Sequence, residues 1–336
     1  MNNNSKGLVL VTGGTGFLGA WLIKELLDNG YAVRATRRSD HLPVFIPADV
    51  RTNVEWVSTD ILDVVGLETA MEGVDAVIHS AAKVSFSARE RKQLFKTNVE
   101  GTADVVNVAL ENDIKRFIYI SSVAALGRTG NGEHVTEEKK WTDSRYNTNY
   151  AISKFRGEME VWRAIGEGLP AVIVNPSTML GYGDWNNSSC RLFRTAYDEF
   201  PWYTEGVNGF VDVTDTARAI VGLLASDVTA ERYILNGDNW TFRKVFDTMA
   251  DGFGKKRPHR EATPFLAALA WRMAGLKSSF TGRPSVLTRE SARVARSKTF
   301  FDNGKILGQL PGFQFTPLEV SIRSACEAYL SGLKNR

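Results

Sequence analysis

Tyr150 and Lys154 stand four residues apart in Tyr150-Ala-Ile-Ser-Lys154. On a helix that spacing puts both side chains on one face. A free tyrosine loses its proton near pH 10, so at neutral pH it is a sluggish acid–base group. A lysine ammonium beside it favours the phenolate. Bringing the phenol down by about 3 pH units takes roughly 4 kcal/mol of differential interaction, within reach of a close, poorly solvated cation helped by a second positive charge. Earlier in the chain, the apolar run Arg116-Phe-Ile-Tyr-Ile-Ser121 ends in Ser121-Ser122. A serine hydroxyl at a strand end can hydrogen-bond a substrate oxygen and hold it in place. Taken alone, the Tyr–Lys pair also fits a surface helix carrying two unrelated polar residues.

A second group of residues gives the pair something to act with. Near the start, Gly7-Leu-Val-Leu-Val-Thr-Gly-Gly-Thr-Gly-Phe-Leu-Gly19 is an apolar run followed by glycines at three-residue spacing, Gly13, Gly16 and Gly19. Such a loop lets backbone N–H groups approach a pyrophosphate at a helix N-terminus, where the helix dipole favours negative charge. Phe17, Trp21, Leu22 and Leu26 then recur at helical spacing until Asn29-Gly30 stops the helix. An ordinary glycine-rich turn shares the glycines. The order of strand, turn, helix and stop favours a dinucleotide site.

The elements that must position these residues follow from the rest of the chain. Strands are expected at Tyr31–Thr36, Val54–Ser58, Asp75–His79, Arg116–Ser121 and Ala171–Val174, with helices between them, notably Gln93–Glu111 and Tyr150–Gly166. This alternation predicts an α/β fold: a doubly wound parallel sheet of the Rossmann type, with ligands beyond the carboxyl ends of its strands. Residues 1–175 form the dinucleotide-binding domain. A smaller, mostly helical C-terminal lobe comprises 176–206 and 238–336 and binds substrate, while 207–237 folds back onto the first domain. Within that returning stretch, short strands are expected at Phe210–Val213 and Arg232–Leu235 around a helix from Thr214 to Ala225.

Composition excludes several classes. The chain has 336 residues, 43% hydrophobic and 24% charged, which suits a soluble globular protein. A net charge of +3 is too small to argue for nucleic acid. No stretch approaches the roughly 18 apolar residues of a membrane span. The polar start, Met1-Asn-Asn-Asn-Ser-Lys6, is not a signal peptide. Cys190 and Cys326 form no disulfide framework, and a reduced cytoplasmic location is expected. The four histidines have no metal-ligand spacing, so no metal is expected.

With these motifs in view, the chain resembles the extended short-chain dehydrogenase/reductases of the NAD-dependent epimerase/dehydratase superfamily. The likeness runs through Thr12-Gly-Gly-Thr-Gly-Phe-Leu-Gly19, Asp60, His79-Ser-Ala-Ala82, Asn98-Val-Glu-Gly-Thr102, Ser121-Ser122-Val-Ala-Ala-Leu-Gly127, Tyr150 with Lys154, and Asn175-Pro-Ser-Thr-Met-Leu-Gly181. The resemblance implies that Ser122, rather than Ser121, is catalytic with Tyr150 and Lys154. Tyr150 would be the general acid–base, and Lys154 would bind the nicotinamide ribose and tune it. Thr12, Gly13, Gly16, Phe17, Leu18 and Gly19 would form the cofactor loop. Asp60 and Ile61 would meet the adenine, and Ala81 and Ala82 the pyrophosphate and ribose. Lys83, Pro176, Ser177 and Thr178 would complete the cofactor site. Asn98 joins them by position, with a structural role favoured over proton relay. The resemblance also implies a homodimer built on the helices at 93–111 and 150–166.

The second strand ends in Arg37-Arg38-Ser39 with no acid at its end. NAD binders place Asp or Glu near this point, whereas NADP binders place Arg for the 2′-phosphate. The arginines therefore point to NADP, supplied as NADPH, with NAD as the alternative. Asp40 is the main objection, and two solvated loop arginines would look the same. The branch most resembled is that of dihydroflavonol reductase and 3β-hydroxysteroid dehydrogenase, through Val33-Arg-Ala-Thr36 and Val174-Asn-Pro-Ser-Thr178. The expected activity is reduction of a small-molecule ketone or aldehyde. The alternatives are a nucleotide-sugar epimerase or dehydratase holding NAD, and a non-catalytic dinucleotide-binding regulator. Ser85, Phe86, Tyr182 and Trp185 are substrate-side candidates, although the aromatic pair equally suits loop packing. The apolar stretch 263–276 is read as a packing helix, with a lid or membrane contact as its other use.

Overall fold

β1 (Leu8–Thr12) is an apolar run whose last four residues are buried, as a strand covered on both faces requires. The chain in this computed structural model is described at residues 5–127, 132, 134–144, 147–263 and 289–334. After β1, a turn through Gly13–Gly16 leads into helix α1 (Phe17–Asp28). β2 (Ala32–Arg37), β3 (Glu55–Ser58), β4 (Ala76–His79) and β5 (Arg116–Ile120) follow. With strands Ala171–Pro176 and Glu231–Leu235 they make a seven-stranded sheet, in the order Glu231–Leu235, Ala171–Pro176, β5, β4, β1, β2, β3. Every pair in it is parallel.

The chain leaves β1 toward β3, then crosses back to β4 and proceeds the other way. The strand order therefore reverses between β1 and β4, where Thr12 lies opposite His79. A crevice opens above such a reversal, outside the carboxyl ends of the strands. Strand alternation serves two core layers. Val9 and Val11 enter one with α1 and the helix Val213–Leu224, while Leu10 enters the other with the helices Val64–Met71, Gly101–Glu111 and Asn149–Gly166.

One helix departs from the expected continuous run over 93–111. Residues Arg91–Phe95 and Gly101–Glu111 are α-helical, but Lys96–Glu100 form a π-helical turn. Such turns cost little in sequence pattern and gather at functional sites. This one carries the buried Asn98. Beside it, Gly157 lets the helix Asn149–Gly166 approach closely. A Cβ at Gly157 would overlap the Asn98 carbonyl oxygen and lie 2.8 Å from the Tyr119 hydroxyl.

The second lobe has its own core. Strand Val207–Asp212 runs parallel to Thr178–Leu180 and antiparallel to Asp238–Thr241. Helices Arg191–Tyr197, Phe242–Phe253 and Leu318–Lys334 pack around an aromatic cluster that includes Phe193, Phe253 and Tyr329. Between the lobes the chain returns to the first: helix Val213–Leu224 packs on α1, and Glu231–Leu235 closes the main sheet. Val207–Asp212 itself pairs within the second lobe. Most of the apolar stretch at 263–276 lies outside the described residues. Among the described residues no helix is long and apolar enough to cross a membrane.

Candidate active site

The crevice between β1 and β4 is lined by backbone. Gly13 sits at φ +71°, a conformation that favours glycine, and a Cβ there would lie 2.8 Å from the Cα of Ala81. A Cβ on Gly19 would overlap the Gly13 carbonyl oxygen, so α1 can pack down on the loop only without one. The loop is further tied by Gly13 N–H donating to Thr36 Oγ1 at 3.1 Å and Gly16 N–H to Gly13 O at 2.9 Å. α1 starts at Gly16 with no side-chain cap and no acid in its first turn. Helices Asn149–Gly166, Val213–Leu224 and Phe242–Phe253 are all capped by side chains, those of Thr148, Asp212 and Thr241. The uncapped N–H groups of α1, on an exposed glycine at the switch point, fit a dinucleotide pyrophosphate.

The expected cofactor residues surround this crevice in different ways. Phe17 and Leu18 point inward: Leu18 is buried, and Phe17 packs against Gly181 and Gly183 of the second lobe. Thr12 Oγ1 accepts from Ala81 N–H at 3.2 Å, joining the loops after β1 and β4. Ala82 is exposed. Asp60 Oδ1 accepts from Leu62 N–H at 3.0 Å, and Ile61 is buried against Gly101. Lys83 turns its ammonium to Glu90, 2.8 Å away. Arg37 pairs with Asp40 at 2.8 Å. Arg38 is 78% exposed and lies 4.0 Å from Asp60.

Asn98 grips the loop after β4. Its Oδ1 accepts from Lys83 N–H at 2.7 Å, and its Nδ2 donates to Lys83 O at 2.9 Å and Ser153 Oγ at 3.0 Å. The π turn is what aims it there. A histidine completes the anchoring. His79, fully buried, meets Thr12 Oγ1 through Nδ1 at 2.7 Å and Thr102 Oγ1 through Nε2 at 3.1 Å. Thr102 Oγ1 spends its own proton on Asn98 O. Nε2 must then be the protonated nitrogen, leaving Nδ1 to accept from Thr12. Burial, followed by the Lys154 charge, pushes His79 down to about 3, so the ring is neutral.

Ser122, Tyr150 and Lys154 come together at the carboxyl edge of β5. Thr148 caps the helix by accepting from Ala151 N–H at 3.0 Å, which fixes Tyr150 in its first turn. Ser122 Oγ accepts from Ala124 N–H at 3.2 Å and lies beside the buried Tyr150 hydroxyl. Burial raises Tyr150 above the usual phenol range, and the neighbouring Ser122 hydroxyl opposes that rise. Lys154 is 1% exposed and donates to Ile120 O at 2.7 Å and Tyr119 Oη at 3.1 Å. Desolvation brings it down to about 7, against the pull of Glu158. Ile120 pairs with Val174, so Pro176 stands level with Ser122 across the sheet edge. Next to it, Ser177 Oγ is buried with no hydrogen-bond partner. Thr178 Oγ1 accepts from Asn208 Nδ2 at 2.8 Å.

The substrate-side candidates divide. Phe86 lies edge-on to Tyr150, ring centroids 6.1 Å apart, and Ser85 donates to Glu90 at 2.6 Å. Tyr182 and Trp185 pack on Tyr329, at 4.9 and 5.5 Å between centroids. Glu158, Asn175 and His79 were not singled out as site residues from sequence, although all three are buried around the site. Glu158 had a usable signal: it extends the Tyr150–Lys154 spacing by four more residues.

A seven-stranded Rossmann sheet with a glycine crevice and this Ser–Tyr–Lys set defines a dinucleotide-binding enzyme. Residues 9–235 match the model of the NAD dependent epimerase/dehydratase family. The chain belongs to that family and is an NAD(P)-dependent oxidoreductase. It is 29% identical over 307 residues to a putative dihydroflavonol 4-reductase of Synechocystis, covering 89% of this chain and 88% of that relative. It is 32% identical over 252 residues to cinnamoyl-CoA reductase 1 of Oryza sativa, covering 70% and 73%. The crystal structure of gox2253 superposes with a TM-score of 0.81 at 28% identity, over 97% of this chain and 99% of that one.

Proposed function

We propose that this enzyme is an NADPH-dependent reductase of a ketone or aldehyde, with chemistry like that of a dihydroflavonol reductase. The observation that carries the reading is the meeting of Ser122, Tyr150 and Lys154 at the sheet edge beside the glycine crevice. The names of the two relatives, both reductases, support it. The uncapped start of α1 and the loops around Ala81 would hold NADPH, whose nicotinamide would supply a hydride when bound. The chain's own residues then manage the oxygen. Ser122 hydrogen-bonds the carbonyl oxygen, and Tyr150 gives that oxygen a proton. Lys154 keeps one of its three N–H donors for the cofactor ribose, since two are engaged by Ile120 and Tyr119. Its desolvated charge stabilises the phenolate left on Tyr150. Alignment of the reacting groups supplies much of the rate.

The arginines after β2 support NADPH over NADH. Arg37, the last residue of β2, pairs with Asp40, and Arg38 is exposed beside Asp60. Guanidinium groups bind phosphate through charge-assisted hydrogen bonds. Replacing both with alanine should raise the KM for NADPH by about 10- to 100-fold and leave the KM for NADH nearly unchanged. The assay is cofactor consumption with a panel of aldehydes, flavonoid-like ketones and steroids. Equal loss with both cofactors, or a native enzyme that prefers NADH, contradicts the assignment. A nucleotide-sugar epimerase would retain NAD and consume no NADPH.

A further inference from the structure

The stripe that carries Tyr150 and Lys154 continues to Glu158. This carboxylate is 1% exposed, a placement that acidic side chains tolerate only when paired. Its partners are donors. Ser121 Oγ donates to Oε2 at 2.6 Å, Asn175 Nδ2 to Oε2 at 2.9 Å, and Arg232 Nη1 to Oε1 at 3.1 Å. Asn175 Nδ2 also donates to the backbone oxygen of Ser122 at 3.0 Å. Lys154, one turn earlier, takes the carbonyl of Ile120. Ile120 and Ser121, at and just past the end of β5, are therefore tied directly to the helix that carries Tyr150, and Ser122 is tied to it through Asn175.

The charges around Lys154 are few. Glu158 faces it from its own helix, Tyr119 from β5 and the neutral His79 from β4. Arg232, on strand Glu231–Leu235, faces Glu158 and balances part of its charge. Burial works against the ammonium, and Glu158 works for it.

Taking Ser122, Tyr150 and Lys154 as the proton-transfer site, we propose that Glu158 is its positioning residue. Through Ser121 and Asn175 it sets Ser122 at the end of β5, and its charge, one helical turn from Lys154, favours the ammonium form. The substitution Glu158→Gln keeps the size and one acceptor and removes the charge. Two readouts apply: the protonation midpoint of Lys154, followed by NMR of lysine-labelled, cofactor-free protein, and the pH profile of kcat. In E158Q the midpoint should fall by about one pH unit, and the high-pH limb of kcat should move with it. A role in packing alone would lower kcat equally at all pH values. An unmoved midpoint in folded E158Q overturns the proposal. Should E158Q fail to fold, R232Q tests the same idea with the opposite sign: an unbalanced Glu158 should raise the midpoint, and an unchanged or lower one overturns it. A midpoint that shifts as expected in an enzyme that consumes no NADPH supports the role of Glu158 while removing the reductase reading.

Discussion

Replacing Tyr150 with phenylalanine is expected to lower kcat for carbonyl reduction by about 10³-fold, the range for losing a positioned general acid. NADPH binding should persist, because the crevice is built from the backbone at Gly13–Gly19 and from residues after β2 and β4. The ring should also keep its place, since the helix is fixed by the Thr148 cap and Phe86 packs on the ring rather than on the hydroxyl. The loss therefore falls on the chemical step. Steady-state kinetics with cofactor binding followed by fluorescence separates the two. A variant that turns over at the native rate would remove Tyr150 from the mechanism.

A second large effect is expected from acid. His79 is buried and neutral, held down to about 3 against an ordinary value of 6.5. As pH falls below 6.5 the unfolded chain takes up a proton that the folded one refuses, so stability present above that value is progressively lost. Between pH 6.5 and about pH 4 the loss from this one group is about 3 kcal/mol. The site offers no carboxylate partner among the ring's hydrogen-bond neighbours: both ring nitrogens meet threonine hydroxyls, away from solvent. The substitution His79→Gln should flatten the dependence of unfolding free energy on pH over this window by one proton's worth. Parallel curves for native and variant proteins would show that His79 does not titrate on unfolding.

The order of the fold was legible because its signals are long or unusual. Five of the main-sheet strands appear as apolar runs bounded by turns, and α1 follows a loop whose glycines are required by contact with Ala81 and by its own packing. The pairing of Tyr150 with Lys154 on one helix face was legible through the single spacing between them. Shorter features were not. Strands of two residues, such as His134–Val135 with Phe300–Phe301, carry no periodicity and exist through pairing distant in sequence. The π turn at Lys96–Glu100 is hidden because the apolar pattern on either side suits an unbroken helix. The use of Tyr182 and Trp185 depended on where Tyr329 lies, nearly 150 residues away in sequence. Arg37 presented a similar ambiguity: sequence placed it at the end of β2, and only the fold shows it bound to Asp40.

In the proposed reaction, hydride passes to a carbonyl carbon while Tyr150 supplies the proton. It is tested most directly with NADPH carrying deuterium at the transferred position of C4, incubated with the native enzyme and the carbonyl panel. Mass spectrometry of the products should find one deuterium on the new carbinol carbon for each NADPH oxidised, and almost none with Y150F. Product without deuterium, or a protein that holds NAD and interconverts its substrate with no net oxidation of NADPH, would contradict the account.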